Sequence, residues 1–177
     1  MGVTACNGLQ GTGDKGYVTG DGVISTIAVD QRTDAVSFTG EDLDGNPLSF
    51  AQFRGRPVVV VVWGSWCTEC IAEAKDVEAA AEALKGKAQF VGIDLRDGST
   101  SQAKGYVRDF GIDYPSFYSP DGAVTLAFGG VLGPKTIPAF VVLDAHGQVA
   151  ATIIGKLPST QTLVDLTDDV ASGTTDG

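Results

Sequence analysis

A mixed α/β fold, with one central sheet flanked by helices, is predicted by three features of the chain. The unalternating run Val58–Trp63, five valines and a tryptophan, reads as a strand buried on both faces. A helical repeat over residues 68–84 separates it from a second apolar run, Gln89–Leu95. Together these make a right-handed βαβ unit with parallel strands. Two further runs, Ala139–Leu143 and residues 149–154, are joined by the turn residues Asp144 to Gln148 and read as an antiparallel hairpin. The sheet is therefore mixed, with helices on both of its faces.

The elements follow in order. Residues 23–29 and 35–38 read as short strands, and Asp44-Gly45-Asn46-Pro47 as a turn into Leu48-Ser49-Phe50, an N-terminal β-hairpin extension. In the helix over 68–84, Ile71, Ala74, Val77, Ala81 and Leu84 recur at core spacing. Glu69, Glu73, Lys75, Asp76, Glu78 and Glu82 fill the flank and outer face, and Gly86 stops the helix. A second helix is predicted from Ser99 or Thr100 to Phe110, with Tyr106, Val107 and Phe110 inward and Gly111 as its stop. Residues 114–122 are turn-rich, residues 123–128 a short apolar helix, and Leu163, Val164, Leu166 and Val170 mark a closing helix. The last residues, 173–177, are expected to be disordered.

A chain of 177 residues with 43% apolar composition supports one domain, placed at 35–172, and no internal repeat divides it. The 22 acidic against 12 basic residues, a formal charge of -10, exclude a nucleic-acid or anionic-membrane surface as partner. No apolar run approaches the roughly 20 residues that span a bilayer. Residues 1–34 read as a tether with a short strand. Val3-Thr4-Ala5-Cys6 resembles a bacterial lipobox, in which the cysteine becomes lipidated. The six glycines in residues 7–22 suit a flexible link to such an anchor.

Cys67-Thr68-Glu69-Cys70 stands where the strand pattern gives way to the helical one. At the start of a helix, the first sulfur meets unpaired N–H groups and the positive end of the dipole, which favour thiolate. The thiolate is the species that attacks disulfides. Cys67 is then the more exposed nucleophile, and Cys70, one turn inward on the apolar face, the resolving thiol. The rival reading is half a zinc site. Zinc takes four ligands, and only Cys6 and His146, in a tail and a turn, remain to complete it. No metal and no cofactor are expected.

Trp63-Gly64-Ser65-Trp66 with the dithiol, Gly45-Asn46-Pro47-Leu48, Phe53-Arg54-Gly55-Arg56-Pro57 and Thr136-Ile137-Pro138 together resemble the thioredoxin-like fold. Within it they resemble the TlpA/ResA-like (DsbE/CcmG-type) extracytoplasmic thiol-disulfide oxidoreductases. The resemblance implies a cis Pro138 beside the dithiol, with Ile137 offering its backbone to a substrate chain. Trp66, Thr68 and Glu69 become substrate contacts, and Glu73 a partly buried acid/base for Cys70. Trp63 is core. Protein thiols and disulfides are the implied substrates, apocytochrome c among them, and a membrane protein of the CcdA/DsbD type the implied electron donor. The implied location is the outer side of a bacterial membrane, contacted only through the lipid on Cys6.

Three departures from the family pattern stand out. Glu69 replaces a common proline and Lys75 a helix-kinking one, while Val61 stands where thioredoxin carries a buried aspartate. Negative charge at Glu69 opposes the Cys67 thiolate, which leans toward a reductase. A disulfide-forming oxidase is the alternative of the same fold. A Sco-like copper chaperone is one of another class, though it uses a wider cysteine spacing and a histidine better placed than His146. A thiol peroxidase lacks its usual proline and threonine here, where Gly64-Ser65-Trp66 precede Cys67.

Overall fold

In the computed structural model, which describes residues 17–19 and 22–173, the chain begins with strands β1 (Tyr17–Thr19), β2 (Gly22–Thr26), β3 (Thr39–Glu41), β4 (Pro47–Ser49) and β5 (Val58–Trp63). Helix α1 (Thr68–Ala83), strand β6 (Gln89–Leu95), helix α2 (Thr100–Phe110) and strand β7 (Ser116–Ser119) come next. Strands β8 (Ala139–Leu143) and β9 (Val149–Gly155) and helix α3 (Thr160–Ser172) complete it. One sheet runs β1-β2-β9-β8-β5-β6-β7, and β3 and β4 form a separate hairpin. β5, β6 and β7 are parallel, while β8, β9, β2 and β1 run antiparallel to their neighbours.

Burial explains why β5 is central. All six of its residues are buried, and each valine withdrawn from water contributes roughly 1.5–3 kcal/mol. Val59, Val61 and Trp63 face one side, where the buried residues of all three α-helices gather. Val58, Val60 and Val62 face the other, covered by Phe50, Phe117, Phe128 and Leu132. Helices cover both faces as expected, but the three α-helices share one face and only short 3-10 helices lie on the other. β5, β6 and β7 step in one direction across the sheet, so two right-handed crossovers put α1 and α2 on the same side. The opposite flank is closed by short 3-10 helices, Phe50–Phe53 and Ala123–Phe128, and by the hairpin.

Other expectations shift locally. Residues 35–38 are not a strand, and Val29–Gln31 is a 3-10 turn. The turn-rich stretch at 114–122 contains β7, the third strand of the parallel half of the sheet. In the segment read as a tether, β1 and β2 join the main sheet at the edge of β9, and Arg32 pairs with Asp144 at 2.9 Å. Cys6, with its neighbours in the lipobox, lies outside the described residues, as do most of the tether and residues 174–177. Helix α1 buries Cys70, Glu73, Ala74, Val77 and Ala80, whereas Ile71 is exposed. Its inward face is therefore turned toward Cys70 and Glu73 from the stripe the sequence suggested.

Candidate active site

The dithiol lies where β5 runs out. Trp63 is the last strand residue, Gly64 to Trp66 form the loop, and Cys67 caps α1, its Sγ accepting the Cys70 N–H at 3.1 Å. The Ile71 N–H in turn donates to the Cys67 carbonyl at 3.0 Å. A disulfide joins Cys67 and Cys70. In the reduced protein the same helix-terminal N–H faces the first sulfur and favours its thiolate. Cys67 is hardly more exposed than Cys70, at 4% against 2%, which corrects the expected contrast. The exposed surface beside the pair belongs to Trp66, Thr68 and Glu69.

Glu73, one turn beyond Cys70, is buried and lines a small internal cavity together with Cys70, Trp63 and Tyr106. Its Oε2 accepts the Leu157 N–H at 2.8 Å. Burial outweighs that bond and raises the Glu73 carboxyl to about 7. A carboxyl near neutrality beside the resolving thiol can take a proton or return it. Tyr106 closes the inner wall: its hydroxyl donates to the Cys70 carbonyl at 2.9 Å, and its ring stacks on Trp63 at 4.6 Å. Trp63 is core, 2% exposed.

Across the sheet, the Ile137–Pro138 peptide bond is cis. β8 starts at the next residue, and Ala139 pairs with Val62, so Pro138 comes level with Trp63 at the strand end from which the dithiol loop departs. Ile137 is half-buried there. His146 is exposed in the β8–β9 turn, away from the dithiol end of β5. Among the described residues, no three of His, Cys, Asp and Glu are grouped to hold a metal.

Three residues to which the sequence reading gave no role at the site, Leu95, Arg96 and Asp97, also meet the loop. Trp66 Nε1 donates to the Leu95 carbonyl at 3.0 Å, and the Arg96 guanidinium lies 4.6 Å over the Trp66 ring. Asp97 accepts from the Ser65 backbone N–H at 3.2 Å and from the Ser65 hydroxyl at 2.7 Å. Arg96 reaches the ring from a left-handed backbone, φ 64°, rare for a residue other than glycine. Asp94 is fully buried just before them. The available signal was a charged residue inside the apolar run of β6, a position that strand burial disfavours.

A chain with this sheet and dithiol belongs to the Redoxin family, whose pattern matches residues 28–170. The fold is thioredoxin-like. A DsbF homologue from Corynebacterium diphtheriae is 30% identical, with a TM-score of 0.74 over 95% of this chain and 99% of its own. The soluble secreted antigen MPT53 of Mycobacterium tuberculosis is 29% identical over 121 residues, 68% of this chain. The match spans 65% of that antigen's length. The thiol-disulfide oxidoreductase ResA of Bacillus anthracis is 25% identical over 124 residues, 70% of this chain and 69% of ResA. Among the described residues, no helix is long and apolar enough to cross a membrane.

Proposed function

We propose that this protein is a thiol-disulfide oxidoreductase that reduces protein disulfides outside the cytoplasm. The observation that carries the reading is the Cys67–Cys70 pair at the N-terminus of α1, with buried Glu73 on the cavity that Cys70 also lines. In the reduced protein, the Cys67 thiolate attacks a sulfur of a substrate disulfide. That S–S bond breaks, one substrate thiolate leaves and takes a proton, and a mixed disulfide remains. Cys70 gives its proton to Glu73 and attacks the Cys67 sulfur. The second substrate thiol departs, and the protein is left as the disulfide.

Two electrons from a dithiol donor restore the reduced state; a membrane protein of the CcdA/DsbD type would supply them. Ile137 and Pro138 would receive the substrate backbone, with Trp66, Thr68 and Glu69 on the exposed rim. Apocytochrome c thiols are the substrate class that the ResA likeness suggests. The likeness to the secreted antigen MPT53 supports an extracytoplasmic location. A lipid on Cys6 would hold the protein at the membrane, and mass spectrometry of the native protein tests it: an unmodified Cys6 removes the anchor.

The exposed Glu69 in the first turn of α1 supports the reductase direction, because its charge disfavours the Cys67 thiolate and so makes the disulfide less oxidising. Equilibrating the dithiol against a glutathione buffer tests this. A potential near about -270 mV is expected, and one near about -120 mV would make the protein a disulfide-forming oxidase.

A further inference from the structure

The segment that follows β6 grips the dithiol loop, and its hold depends on two carboxyls. Asp97 is 2% exposed and spends one oxygen on the Ser65 hydroxyl and the other on the Ser65 N–H, at 2.7 and 3.2 Å. Its own carbonyl accepts the Tyr118 hydroxyl at 3.3 Å, which ties it to β7. Asp94 is 0% exposed, and no N–H or O–H of a described residue donates to either of its oxygens. Trp63 Nε1 and Ser116 Oγ, on the neighbouring strands, are themselves unpaired and do not reach it. Asp97, three residues along the chain, is the titratable group whose side chain and charge act on Asp94. Two buried carboxylates in contact repel, whereas a single proton between them converts the repulsion into a hydrogen bond.

We propose that Asp94 and Asp97 are positioning residues for the dithiol: Asp94 donates a hydrogen bond to Asp97, which holds Ser65 and thereby seats Cys67 at the cap of α1. Burial, and then the hydrogen bond and charge of Asp97, raise Asp94 to about 9, in keeping with a proton retained at neutral pH. Titratable groups on the surrounding elements include Arg96, Tyr118 on β7, Tyr106 on α2, and Glu73 and Glu78 on α1. None of them contributes to the Asp94 shift, which comes from burial and Asp97. The loop has little freedom to escape this grip. A Cβ on Gly64 would come within 2.7 Å of Trp66 Nε1 and 2.9 Å of the Leu95 carbonyl oxygen. The pair thus supplies a buried carboxylic acid beneath the loop, although Val61 leaves the usual strand position without one.

The inference rests on the thiol-exchange reading and holds in either direction of electron flow. Its test is alkylation of Cys67 by iodoacetamide in the reduced full chain, from pH 5 to 8.5. Ser65→Ala keeps every charge and removes the hydroxyl bond to Asp97, leaving only the backbone N–H bond to hold the loop. It is expected to raise the half-maximal pH by about half a unit, which slows the reaction about threefold below the midpoint. In the Asp97→Ala background, Ser65→Ala is expected to cause no further shift, because both act through one contact. Asp94→Leu, which removes the donor, should shift the profile as Ser65→Ala does, and Asp94→Asn, whose amide still donates, should restore it. A Ser65→Ala profile equal to wild type, a shift that persists in the Asp97→Ala background, or equal behaviour of Asp94→Asn and Asp94→Leu would each overturn the proposal. Alkylation needs no protein substrate, so failure of disulfide exchange itself would be seen separately, as an inactive wild type. Should Asp94→Leu not fold, the Ser65 and Asp97 pair of variants still decides.

Discussion

At the scale of single residues, the chemistry divides between a nucleophile at a helix cap and an acid in the dark behind it. Cys67→Ser is expected to abolish disulfide exchange, while Cys70→Ser should accumulate a mixed disulfide, visible on a non-reducing gel, because nothing then displaces the substrate. Glu73 offers a sharper test. Held near 7 mainly by burial, it becomes a competent base for Cys70 as pH rises through neutrality. The resolution rate of the wild type should therefore climb between about pH 6 and 8, by stopped-flow tryptophan fluorescence. Glu73→Gln should flatten that climb and slow the step at least about tenfold. An unchanged profile would remove Glu73 from the mechanism and leave it a buried anchor for the Leu157 N–H.

At the scale of elements, the site is a junction of β5, α1 and the segment after β6, so close packing there matters as much as the thiols. Gly92 on β6 illustrates it. A Cβ at this position would strike Ser116 Oγ and come within 2.6 Å of Trp63 Nε1, both buried. Gly92→Ala is expected to destabilise the protein by about 2 kcal/mol, read as a lower midpoint in urea at unchanged slope. Elements with a continuous apolar run or a clear helical repeat were legible in the sequence: β5, α1, β6, α2, the β8–β9 hairpin and α3. β7 was not, because Ser116–Ser119 is short and framed by turn residues, and only pairing with β6 makes it a strand. The inward face of α1 was misread for a different reason. Periodicity assigns Ile71 to the core and Glu73 to the flank, yet once the helix packs on the sheet Glu73 is buried and Ile71 is 43% exposed.

At the scale of the molecule, buried acids couple stability to pH. Glu73 and Glu78 are raised to about 7 and Asp94 to about 9, all mainly by burial, from ordinary values of 4.5 and 3.8. Between the unfolded and folded values the native state binds a proton that the unfolded state has lost. Stability therefore falls as pH rises, by at most about 1.4 kcal/mol per pH unit for Asp94 and by less for Glu73 and half-buried Glu78, which solvent screens. The formal charge of -10 pushes the same way, since deprotonation adds to self-repulsion. The melting temperature of the oxidised chain is expected to be higher at pH 5 than at pH 8. A flat or rising melting temperature over that range would show that these carboxyls are ionised in the folded protein.

What the sequence determined by itself was local in kind: the period of each long element, the strand-to-helix junction that carries the dithiol, and the proline ahead of β8. Those features depend on neighbours a few residues apart, whose spacing can be read directly. The tertiary structure decided everything that needs distant segments to meet. It placed all three α-helices on one face, drew β2 into the sheet through β9, buried Glu73 beside Cys70, and brought Asp94 and Asp97 beneath Ser65 from about thirty residues away. Burial and pairing set the acidity of these carboxyls, and neither is a property of a residue until the chain has folded around it.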